Sequence, residues 1–92
     1  MTTQSKITQL RKQFTDEQLQ EVKNCRDEIR GLVWQDRELG YSDDEIEETM
    51  GDYLDEVYES YQQSAYVNYD LSENDFERIY RVLESIDGIV SF

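Results

Sequence analysis

Carboxylates are the only abundant reactive groups in this chain: 22 of its 92 residues are Asp or Glu, His is absent and Cys occurs once. Carboxylates transfer protons, bind cations or pair with Lys and Arg, and spacing decides among these. Acid–base catalysis needs one carboxyl whose surroundings separate its pKa from its neighbour's. No apolar cleft is implied around any pair here, and the commonest general base, His, is missing. Cation binding fares no better. Asp70, Ser72 and Asn74 fall at positions 1, 3 and 5 of an EF-hand loop, but Asp75 stands where Gly is needed and Arg81 where a bidentate Glu is needed. That stretch is read as a helix N-cap turn. One Cys without His rules out zinc spacing, and no Gly-rich phosphate loop is present. Cys25 lies in an apolar pattern with no activating base, so it is read as a buried structural thiol. No enzymatic activity, cofactor or metal is expected.

Ion pairing remains, and the charge is distributed for it. Residues 1–39 are neutral, with seven basic and seven acidic side chains. Residues 40–92 carry fifteen acidic and two basic ones, which supplies the whole net charge of −13. Such a field repels nucleic acid and anionic membrane and attracts basic surfaces. From Asp43 to Glu59 nine residues are acidic and none is basic. On a helical wheel Glu45, Glu48, Asp52, Asp55, Glu56 and Glu59 fall in a band about 100° wide, opposite Ile46, Met50, Tyr53, Leu54, Val57 and Tyr61. Those six carboxylates span about 21 Å, one charge about every 3.5 Å. One strand of B-DNA presents a phosphate about every 3.4 Å of axis. Like charges at i, i+4 cost a helix a few tenths of a kcal/mol each, more than solubility alone requires. Asp44 extends the stripe, and Asp70, Glu73, Asp75 and Glu77 supply a second row.

Over residues 43–77 the chain resembles, in charge pattern, length and tyrosine content, the small acidic DNA-mimic inhibitors that phages and mobile elements use against restriction, CRISPR or host DNA-binding proteins. The resemblance implies an inhibitor that occupies a basic nucleic-acid channel and does not bind nucleic acid itself. Carboxylates at Asp44, Glu45, Glu48, Asp52, Asp55, Glu56, Glu59, Asp70, Glu73 and Glu77 would replace phosphates against Lys and Arg, with tyrosines filling between. The alternative is a structural adaptor or homodimer, in which a basic row on one copy faces the acidic stripe of another.

Helices must position these groups. Residues 3–14 form a short first helix with Ile7, Leu10 and Phe14 on one stripe, read as a docking helix rather than a basic arm. The second is expected over Asp16–Glu38, N-capped by Thr15 with Gln18 as capping-box partner. Its apolar arc is Leu19, Val22, Cys25, Ile29, Leu32 and Val33. Lys23, Arg26, Arg30 and Arg37 edge that arc and are expected to pair with carboxylates of the neighbouring helix. Trp34 is read as core-edge packing. Gly40 fits the C′ position that ends this helix. The third helix, capped by Ser42 with Glu45, is expected from Asp43 to about Ser64, with Gly51 allowing close packing or a slight bend. The pattern fades over 65–70, a loop or extended piece. Ser72 caps a fourth helix from about Glu73 to Ile86, with Phe76, Ile79, Tyr80, Val82, Leu83 and Ile86 inward, and Gly88 near its end. The apolar tail 89–92 is expected to fold onto the core or contact a second subunit. The fold class is all-α, one domain, a small bundle of three long helices and a short N-terminal one. With no span of about 20 apolar residues, no signal-like N-terminus and a lone Cys, the expected compartment is the cytoplasm, the host's if the chain is phage-encoded.

Overall fold

A computed structural model describes residues 3–86 and 90, and among them every regular element is helical. The order is α1 (Thr3–Gln13), α2 (Asp16–Glu38), α3 (Asp43–Tyr69) and α4 (Glu73–Glu84). The bundle therefore has two long helices, of 23 and 27 residues, and two short ones of 11 and 12. No helix among the described residues is long and apolar enough to cross a membrane.

The helix starts are where side-chain chemistry puts them. Thr15 accepts from the Gln18 amide while the Gln18 side chain accepts from the Thr15 amide, and Ser42 and Glu45 repeat the exchange. Each box satisfies two otherwise orphaned donors. Ser72 accepts from the Asp75 amide at 3.2 Å, which accounts for the EF-hand-like spacing as a cap. α2 stops at a Schellman turn. Gly40 takes φ 96°, its amide reaches Arg37 O, and the Tyr41 amide reaches Asp36 O.

α3 runs five residues past the expected Ser64 end. Exposed Tyr66, Val67 and Asn68 hide the periodicity, but Ala65 is fully buried, Tyr69 is half-buried, and Gln18 Nε2 donates to Tyr69 O at 2.8 Å. Packing on α2 holds the last turns that local propensity leaves weak. The helix ends at Asp70 in the left-handed region, φ 55°. An Asp there carries Cβ strain, and its charge opposes the helix dipole. Asp70→Gly is expected to stabilise the fold by about 0.5–1 kcal/mol, after the entropy Gly adds to the unfolded chain. A thermal melt reads this as a gain of several degrees; an unchanged or lower midpoint contradicts it.

The Gln18–Tyr69 bond at one end and an Arg37–Asp43 pair at the other make α2 and α3 an antiparallel hairpin. α4 returns parallel to α2, placing Ile86 O against Arg26. α1 runs back along α4, with Lys6 Nζ donating to Ser85 Oγ and the Arg78 guanidinium 5.2 Å over the Phe14 ring. The core gathers Leu10, Leu19, Val22, Cys25, Ala65, Leu71, Phe76, Ile79, Leu83, Ile86 and Val90. Val90 is buried there, as a folded-back tail requires. Residues 89, 91 and 92 and the expected helix end at Gly88 lie outside the described residues.

Three side chains sit differently from expectation. Arg26 belongs to the core, 1 % exposed, donating Nη2 to Ile86 O at 2.7 Å and so capping the end of α4. Trp34 is 62 % exposed, its indole donating to Glu38 Oε1. Tyr53 is half in solvent, and Tyr58 packs instead, edge-on to Phe76 and Tyr80 at 5.3 and 5.0 Å between centroids. The inward positions of α3, from buried Ile46 through half-buried Met50, Leu54 and Tyr58, advance by fours, and the next buried one, Ala65, follows seven residues on. At 100° per residue that line drifts around the helix, so the inward face changes between its halves.

Candidate functional site: the acidic face of the third helix

Asp44, Glu45, Glu48, Asp52, Asp55, Glu56 and Glu59 are all exposed on α3. The helix is continuous through them, because the Ser42 box starts it and the Ile46–Leu54 side packs on α2. Glu45 is partly occupied, since its Oε1 accepts from the Ser42 amide at 3.1 Å. Among the described residues, no Lys or Arg forms an ion pair with Glu48, Asp52, Asp55, Glu56 or Glu59.

Five cations pair elsewhere among the described residues. Lys23 pairs with Asp27 at 2.8 Å and Arg26 with the same carboxylate at 3.2 Å. Arg37 pairs with Asp43 at 2.9 Å, Arg78 with Asp75, and Arg81 with Glu77. Pairing of Lys23, Arg26 and Arg37 is thus intramolecular, as expected, but only Arg37 reaches the neighbouring helix, and Arg30 forms no ion pair among the described residues. Partners one, three or four residues away within α2 and α4 take the rest, because a carboxylate on the same helix needs no tertiary alignment. Of the ten candidate carboxylates, Glu77 is the one held in an ion pair among the described residues.

The second row reaches the first at one end. Glu59 of α3 and Glu73 of α4 line one shallow depression with Gln62, Gln63 and Tyr66. Asp70 and Glu77 are exposed nearby in the chain, at the end of α3 and on the second turn of α4. Tyr66, 61 % exposed, falls in the stretch expected as a loop or extended piece and is helical instead. It lies seven residues after Glu59, two helical turns along the same stripe. That spacing is the signal that identifies it once α3 is extended past Ser64. Tyr53 and Val67 add exposed apolar surface on the same helix.

Behind this face the chemistry is inert. Burial, then the charges of Glu28, Glu21 and Glu84, push the Cys25 thiol from 9.0 up to about 12. Burial likewise raises Tyr58, Tyr61 and Tyr80; for Tyr61 a hydrogen bond to Glu28 adds to it, and for Tyr80 the nearby Glu84 charge does. A thiol kept neutral is neither nucleophile nor metal ligand. No group of three or more His, Cys, Asp or Glu among the described residues is placed to hold a metal ion. The shifts carry a stability consequence. Below pH 9.0 the thiol is protonated in both states, but between 9.0 and about 12 the unfolded chain releases a proton that the folded chain retains. Stability is therefore expected to fall as pH rises through that window, with the three tyrosines acting in the same direction. Urea midpoints at neutral and alkaline pH test this, and a flat profile contradicts it. Cys25 should resist thiol reagents until the protein unfolds.

Comparison with protein-family models, with curated proteins and with solved structures finds no match.

Proposed function

We propose that the protein is a DNA-mimic inhibitor of the anti-restriction or anti-CRISPR type. It occupies the basic DNA-binding surface of a nucleic-acid-binding protein or complex with the carboxylates of α3 and the start of α4. The observation that carries this reading is the row Glu48, Asp52, Asp55, Glu56 and Glu59, exposed along one helix without an ion-pairing cation among the described residues. Self-repulsion among these groups costs a free helix about 0.2–0.5 kcal/mol per i, i+4 pair. A cationic groove relieves that cost and gains charge-assisted hydrogen bonds. Lys and Arg in such a groove are spaced to meet phosphates, and the stripe offers anions at a similar pitch. Exposed Tyr53 and Tyr66 supply apolar and hydroxyl contact between the charges. The reading places the protein in the cytoplasm of a host cell, as a gene product of a phage or mobile element.

The homodimer alternative needs a free basic row on α2. Lys23 and Arg37 are in ion pairs and Arg26 is buried, so of that row only exposed Arg30 is left to offer a second copy.

The test is to recover the partner from lysate on immobilised protein and then titrate the protein into a complex of that partner with labelled DNA. Displacement that weakens as salt rises supports the proposal. A partner that holds DNA and this protein together refutes it.

A further inference from the structure

The α2–α3 hairpin is longer than the helix that lies along it. α4 occupies one side of the hairpin, its Phe76 and Tyr80 meeting Tyr58, and it ends at Glu84 beside Arg30. Beyond that point, among the described residues, its track continues toward the hairpin tip as an open groove. Ile29, Val33 and Leu54 line its apolar floor. Arg30 and Arg37 stand on the α2 side, and Asp43, Glu47 and Asp55 on the α3 side. Two depressions, of about 310 and 440 Å³, share Val33 and Arg37 and together make up the groove. Gly51 sits on the α3 wall. A Cβ there would meet only Glu47 Cγ, at 3.6 Å, so the backbone is open to close approach.

We propose that this groove receives an amphipathic α-helix with a Lys/Arg flank from another protein, completing the bundle at the tip as α4 completes it at the base. Three features commit to that occupant. The track is already the path of a helix, since α4 fills its other half. An apolar floor between polar walls takes an apolar stripe at i, i+3, i+4 and i+7. The rim is net acidic: Asp43, Glu47, Asp55 and Glu84 face Arg30 and Arg37, and Arg37 is already paired with Asp43. Cations on the incoming helix complete the match. A second copy of this chain is a poor occupant, because each copy carries a charge of −13. The inference does not rest on the DNA-mimic reading, and among the groove residues named only Asp55 belongs to the outer stripe.

The probe is a synthetic helical peptide with leucines on one face and lysines on its flanks, compared with a scrambled peptide of identical composition. The amphipathic peptide is expected to bind at least about tenfold more tightly, because both share the same charge and only one presents an apolar stripe. Amide shifts in NMR spectra should move at residues 29–37 and 46–55. Gly51→Phe projects a ring into the groove and should lower binding by about tenfold or more, whereas Gly51→Ala should retain it. Phe is a better helix former than Gly, so α3 is expected to survive the change. Equal affinity for the two peptides, shifts confined to the outer carboxylate stripe, or full binding by Gly51→Phe overturns the proposal. Dimerisation of the protein with peptide excluded overturns it in favour of a second copy.

Discussion

Reversing Glu48, Asp52, Asp55 and Glu59 together to Lys is expected to abolish competition with DNA while α3 stays helical. Each reversal removes an anion and puts a cation against a surface selected for phosphate. Like-charge juxtaposition at an interface costs several kcal/mol, so competition should fall by about a hundredfold or more. The helix itself loses little. In the native chain Asp44–Glu48, Glu48–Asp52, Asp52–Glu56 and Asp55–Glu59 are repulsive i, i+4 pairs. In the variant the first and third become attractive and the other two remain repulsive, so helicity should be kept or raised. All four residues are exposed and none holds an ion pair among the described residues, so no core contact is lost. Circular dichroism and a DNA-displacement titration on the same sample separate the two effects. Undiminished competition by a folded variant would show that the stripe is not the binding surface.

Phe76→Ala is expected to produce the largest loss of stability. Phe76 is fully buried between α4 and α3, and its ring meets Tyr58 at an interplanar angle of 86°. Truncating a buried Phe costs about 3–5 kcal/mol through lost transfer energy and the cavity left behind. A domain of this length has a total of about 5–14 kcal/mol. The variant should therefore lose about a fifth or more of its stability, seen as a lower urea midpoint with little change in slope. Phe76→Leu keeps most of the volume and should cost about 1–1.5 kcal/mol. Equal midpoints for the two variants would mean that the α3–α4 seam is loosely packed. The carboxylates of α3 do not depend on Phe76, so the Ala variant should still compete for the partner under conditions where it is folded. That outcome separates loss of fold from loss of surface.

Much of the architecture is written locally. Thr15, Ser42 and Ser72 each precede a residue whose amide they cap, and Gly40 takes the positive φ that a Schellman turn needs. These are interactions over three to five residues, and the chain carries them without reference to the rest of the fold. The outward direction of the ten carboxylates is legible for the same reason, since a 3.6-residue period fixes which side chains share a face. Charge placement, too, is a property of the chain: fifteen of 22 acidic residues lie in residues 40–92.

Tertiary packing decided what periodicity on one helix cannot contain. Arg26 looks like an edge residue on a wheel, yet the end of α4 arrives beside it and its guanidinium takes the Ile86 carbonyl at 2.7 Å. Tyr58 rather than Tyr53 turns inward because a second partner helix shifts the buried face partway along α3. Ala65 and Tyr69 extend that helix because Gln18, 51 residues away in the chain, holds its last turn. Whether Lys23, Arg26, Arg30 and Arg37 would neutralise the stripe was likewise a matter of distance. Asp27 captures Lys23 and Arg26, Asp43 captures Arg37, and Arg30 forms no ion pair among the described residues, so the outer carboxylates stay in solvent, because a pairing cation acts over one contact length.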